Sequence, residues 1–113
     1  MFSPEIELLQ QLAEKTRQLD EAVQSLYYNG KAYAEAERDY KIVLRQECLK
    51  VRAAGMPVGL IEKTCYGIPE VADKRFERDC KEALYKANLE AINSFKLQMR
   101  LLEGQITREW GRE

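Results

Sequence analysis

The sequence predicts an all-α protein: a long antiparallel helical hairpin, coiled-coil-like, with a short helical elbow between its two arms, and self-associating. Three observations carry this. Charged residues make up 33% of the chain and apolar ones 45%, the balance of long amphipathic helices. Apolar side chains recur three and four apart over long stretches. The breakers gather in one place, with Gly55, Pro57, Gly59, Gly67 and Pro69 all falling between the two long periodic segments.

The first helix is expected over residues 4–53. Ser3 suits the N-cap, Pro4 the first helical position, and Glu5 and Glu7 the first turn, where the positive end of the helix dipole favours anions. Leu9, Leu12, Thr16, Leu19, Val23 and Leu26 form one near-heptad stripe, widened by Ile6, Leu8 and Tyr27. Asn29-Gly30 is a turn dipeptide and sets two helices against one. The spacing resumes in phase beyond it, through Gly30, Tyr33, Glu37, Tyr40, Leu44 and Val51, and that favours one helix running through. Such a helix would be about 75 Å long at 1.5 Å per residue. Gly55 and Pro57 then mark its end.

The elbow is expected over residues 55–68. Val58, Leu60, Ile61 and Cys65 fit one short helix, and together with Ile68 they are expected to cover the open end of the hairpin. Pro69 and Glu70 open the last helix, expected over residues 69–110. It carries two apolar stripes. One is Phe76, Cys80, Ala83, Ala87, Ala91 and Phe95; the other is Tyr85, Leu89, Ile92, Met99, Leu102, Ile106 and Trp110. The alanines at four-residue spacing allow another helix to approach closely. A two-helix hairpin buries one seam, so the second stripe either wraps the same partner helix or meets more helix. The second option predicts a homo-oligomer, a dimer or higher. All of this fits within a single domain of 113 residues.

The composition also argues against several functions. Net charge is −1, from 18 basic and 19 acidic residues, which lacks the basic excess of a chain that coats nucleic acid. Charge is uneven, and residues 29–66 are mildly basic. Histidine is absent, which removes the commonest general base and metal ligand. Helical di-metal sites built on Glu-x-x-His are therefore out of reach, although Glu35, Asp39 and Glu77 lie at helical spacings. No glycine-rich phosphate loop or nucleophile elbow is present. No enzyme, metal or cofactor is expected. Cys48, Cys65 and Cys80 are odd in number and lack metal or redox spacing, so reduced thiols in small apolar positions are expected. Neither an export signal nor a membrane span is read from the chain, and a cytoplasmic setting follows.

Candidate partner contacts are Tyr28, Tyr66, Arg75 and Arg78. Tyrosine offers apolar area with a polar tip, which suits interfaces. Tyr27 and Tyr28 point in different directions on a helix, so both cannot be core. Tyr33 and Tyr40, seven apart, fit the helix–helix seam. The elbow followed by a helix also looks like half of a helix-turn-helix, with Lys74, Arg75 and Arg78 near the start of the second helix. Glu70, Asp73, Glu77 and Asp79 interleave with these cations and weaken a nucleic-acid reading.

From Val71-Ala72-Asp73-Lys74-Arg75-Phe76-Glu77-Arg78-Asp79 through Glu82-Ala83-Leu84-Tyr85-Lys86-Ala87-Asn88 to Leu101-Leu102-Glu103, the chain resembles small uncharacterised helical proteins encoded by phages and prophages of Gram-positive bacteria. The Pro57–Ile61 elbow adds to the likeness. The resemblance implies an accessory product working in the bacterial host cytoplasm by binding a protein, as a regulator or inhibitor of a host or phage target. It transfers no functional residues. Nucleic-acid binding through the elbow and a structural role in virion assembly stand beside that expectation.

Overall fold

The computed structural model of the chain describes residues 3–111. Three helices follow one another: α1 (Pro4–Ala53), α2 (Val58–Cys65) and α3 (Pro69–Trp110). Together α1 and α3 form an all-α helical hairpin with α2 at the elbow.

Each helix end has a local chemical cause. At the start of α1 the Ile6 amide donates to Ser3 Oγ at 3.3 Å, and the Glu7 amide to the Ser3 carbonyl at 3.0 Å. At its end Gly55 takes φ +94°, a left-handed conformation that costs glycine little. That lets the Met56 amide reach back to the Val51 carbonyl at 3.2 Å and the Gly55 amide to Arg52 at 3.0 Å, the double bond of a Schellman cap. Pro57 precedes α2 with φ −59° and ψ 137°, and Tyr66 closes it. The Ile68 carbonyl accepts from Ala72 at 2.9 Å and so starts α3, with Pro69 in the first helical position, where its missing N–H costs nothing.

Asn29-Gly30 does not interrupt α1. The reason is a seam of strict seven-residue period that continues through it. On α1 the half-buried or buried positions include 8, 12, 15, 19, 22, 26, 29, 33, 36, 40, 43 and 47; on α3 they include 71, 74, 78, 81, 85, 88, 92, 95, 99, 102, 106 and 109. Gly30 is where the backbone lies close to an aromatic ring: a Cβ there would sit 3.3 Å from Tyr85 Cε2.

The seam corrects the expected stripes. On α1 one of its two positions per heptad lies one residue earlier than expected: Leu8, Ala22 and Ala36 face inward, and Leu9, Thr16 and Val23 are exposed. Leu8, Lys15, Ala22, Asn29, Ala36 and Val43 share this inward position, so the seven-residue period rather than residue size sets the face, and Val23 falls outside it. On α3 the seam takes Tyr85, Ile92, Met99, Leu102 and Ile106 from the second expected stripe, while Leu89 and Trp110 lie outside it. Most of the first stripe is exposed: Phe76, Cys80, Ala83 and Ala87 face solvent, and only Ala91 and Phe95 are half-buried. Cys80 is thus no core residue.

The chain forms two compact units. One comprises residues 1–28 and 86–113, the other residues 29–85. In the first, Leu8, Ile92 and Ile106 are buried, and Asn88 Nδ2 donates to the Ala22 carbonyl at 2.9 Å across the seam. Lys15 lies on the seam with its ammonium 5.9 Å from the centre of the Phe95 ring. In the second unit Ala36, Tyr40, Ile61, Cys65 and Val71 are buried, with Cys65 and Val71 fully so. The Tyr33 and Tyr85 rings pack there at 5.9 Å. The elbow covers its end through Ile61 and Cys65, with Ile68 half-buried; Val58 and Leu60, expected to help, are exposed instead.

Candidate interaction surface

Within the unit of residues 29–85 the seam is partly built from charged side chains held by rings. Tyr40 is buried on α1, and the Arg78 guanidinium of α3 lies over its face, 4.6 Å from the ring centre. Arg78 also donates to Asp79 Oδ1 through Nε at 3.0 Å and Nη2 at 2.8 Å. That carboxylate holds the guanidinium pKa above its ordinary value, against the opposing effect of burial. One α-helical turn earlier Arg75 stacks on Tyr66, 5.3 Å from the ring centre. The Tyr66 hydroxyl donates to Glu62 at 2.6 Å. That bond to a carboxylate, followed by partial burial, raises the phenol pKa, because ionising it would break the bond and set two anions side by side.

Three of the four candidate contacts, Tyr66, Arg75 and Arg78, thus meet at the elbow end, where each is engaged within the chain. Lys74, one of the cations set against a nucleic acid in the sequence, lies 3.7 Å from Glu77. Tyr28 belongs to the other unit. It is exposed, as is Tyr27, and the two rings meet edge to face at 5.4 Å.

Cysteine placement adds a feature the spacing in sequence did not show. Cys65 on α2 is fully buried, and burial first, then a hydrogen bond with the Cys48 thiol of α1, pushes its pKa up to about 11. Cys48 lines a shallow groove of about 410 Å³ between the end of α1 and α2, with Leu44, Leu49, Val58 and Ile61 as its apolar wall and Arg45, Arg52 and Glu62 at its rim. Among the described residues no group of three or more cysteines, aspartates or glutamates is placed to hold a metal ion. Among the described residues no helix is long and apolar enough to cross a membrane.

The most extensive feature is apolar surface away from the seam. Among the described residues fifteen large apolar or aromatic side chains are exposed and eight apolar ones are buried. The exposed ones are ordered. On α1, Ile6 with Leu9 and, fourteen residues on, Val23 with Tyr27 share one face beside the seam, with Ala13, Thr16 and Asp20 between the two pairs; on α3, Phe76 shares its face with Leu97 and Leu101, on the side away from the seam. Of these, the expected α3 stripes held Phe76 but neither Leu97 nor Leu101, and the α1 residues were expected inside. No protein-family model, curated protein or solved structure matches the chain.

Proposed function

We propose that the chain is a non-enzymatic protein-binding hairpin, an accessory product of a phage or prophage that works in the bacterial cytoplasm by engaging a host or phage protein as a regulator or inhibitor. The observation that carries the reading is the exposure of large apolar side chains off the α1–α3 seam on each long helix, Ile6, Leu9, Val23 and Tyr27 on α1 and Phe76, Leu97 and Leu101 on α3. Soluble monomers rarely keep large contiguous apolar patches exposed, and ordered ones mark interaction sites. The cations at the elbow support it from the other side: Arg75, Arg78 and Lys74 are held by Tyr66, by Tyr40 with Asp79, and by Glu77, leaving little for a phosphate backbone.

The test is a tagged pull-down from lysate of a Gram-positive bacterium, nuclease-treated, at low and high salt, with Val23→Glu/Tyr27→Glu as the control. A protein retained by the wild type at both salt concentrations and lost by the double variant is the expected result. Recovery only of nucleic acid that vanishes at high salt would overturn the reading.

A further inference from the structure

The groove between the end of α1 and α2 lies wholly within the unit of residues 29–85. Its volume is about 410 Å³. Ile61, buried, and Cys48, half-buried, lie deepest in it, while Leu49 of α1 and Val58 of α2 stand 53% and 77% exposed along its walls. Its cations belong to one wall. Arg45, Leu49 and Arg52 follow a four-three spacing and so share one face of α1, which sets the two arginines about 10.5 Å apart along the axis. Both are exposed. The unit holds five arginines. Arg38 is paired with Asp39, Arg75 lies over Tyr66, and Arg78 is held by Asp79 and Tyr40. Arg45 and Arg52 make no ion pair, hydrogen bond or ring contact among the described residues. The carboxylate on the α2 side, Glu62, accepts from the Tyr66 hydroxyl. Two unpartnered guanidiniums thus stand along one wall of an apolar groove.

We propose, resting on the protein-binding reading, that this groove is the docking site for an acidic amphipathic helix of the protein partner. The apolar face of that helix packs on Cys48, Leu49, Val58 and Ile61, and two of its carboxylates, seven residues apart, pair with Arg45 and Arg52. The spacing agrees, because positions seven apart on the guest helix are also about 10.5 Å apart. A helix suits a groove bounded by two helices, where its side chains mesh with those of both walls. Arginine takes a carboxylate through two parallel N–H donors, and such pairs strengthen beside apolar side chains that exclude water. A sugar–phosphate strand would use the two cations but gain nothing from Leu49 and Val58. A small ligand is held less well, because the groove is shallow and small-ligand pockets enclose most of the ligand's surface.

Selection from a displayed library of randomised helical peptides, with the purified full chain as bait, tests the groove. Enriched peptides are expected to carry apolar residues at three-four spacing and two carboxylates seven apart. By fluorescence anisotropy a selected peptide should bind Arg45→Glu/Arg52→Glu about tenfold or more weakly than the wild type. The same peptide with those two carboxylates replaced by lysine should regain affinity for the variant, which also shows that the variant is folded. Saturating peptide should slow maleimide alkylation of Cys48 in the groove and leave that of the exposed Cys80 unchanged. No enriched peptide, enrichment without carboxylates, or equal affinity for wild type and variant would each overturn the proposal. So would an oligonucleotide that binds the wild type and not the variant, or a wild-type dimer that Leu49→Glu splits, since each puts another occupant in the groove. The protein-binding reading fails separately. A lysate partner still retained by Arg45→Glu/Arg52→Glu removes only the groove, whereas a pull-down that yields only salt-sensitive nucleic acid removes the reading itself.

Discussion

Single side chains decide how the two long helices line up. Asn88, 8% exposed, is the only buried polar residue among those described, and its amide donates to Ala22. A polar side chain at a seam position favours the one alignment that satisfies it, at some expense of stability. Asn88→Ala should destabilise the chain by about 1–2 kcal/mol in urea unfolding, for the lost bond and the space left behind. Cys65 makes stability depend on pH. Its folded pKa, pushed up to about 11, lies above the ordinary thiol value of 9.0. The unfolded chain therefore loses this proton first. The contribution is complete below pH 9 and declines as pH rises from about 9 to 11. Tyr66, whose pKa is also raised, acts in the same direction at its own range. Thermal melts should fall across that alkaline window, and Cys65→Ala should make the fall shallower; equal slopes in both proteins would remove Cys65 as a cause.

At the scale of the element, glycines at two neighbouring positions have opposite roles. Gly55 holds φ +94° in the cap that ends α1, and Gly59 sits inside α2 with nothing within 4 Å of where a Cβ would lie. Gly55→Ala should cost about 1 kcal/mol, because a side chain is crowded in the left-handed region. Gly59→Ala should stabilise by about 0.5–1 kcal/mol through helix propensity. Urea unfolding of the two variants separates the signs. The helices themselves were legible in the sequence. Ser3-Pro4, Gly55 and Pro69 state where helices start and stop, and the in-phase spacing past Asn29-Gly30 favoured continuity. The phase of the seam was harder. At Leu8-Leu9, Ala22-Val23 and Ala36-Glu37 two neighbours compete for one inward position, and choosing the larger apolar residue at 22–23 points the wrong way. The role of Arg78 at the elbow was hidden for a related reason: its partner Tyr40 lies 38 residues away in sequence, and only the antiparallel pairing brings them together.

For the whole molecule, the balance of apolar surface matters more than any single contact. Few fully buried side chains hold the hairpin, and a larger set remains outside. Association through that outer set would contribute to folding by mass action. The melting temperature should therefore rise with protein concentration for the wild type and rise less for Val23→Glu/Tyr27→Glu. With a net charge of −1 and surface ion pairs such as Lys31–Glu35, Lys41–Glu37 and Lys50–Glu47, moderate salt should change either value little.

The unbroken seven-residue period of α1 and α3 also limits how this chain can change in length. Removing one residue from the middle of α1 would turn everything beyond it by about 100° and aim the wrong side chains at α3. Removing seven, matched by seven from the facing stretch of α3, would restore the meshing. Insertions and deletions should therefore survive in such a chain only as paired steps of a heptad, or in the elbow, where no period has to be kept.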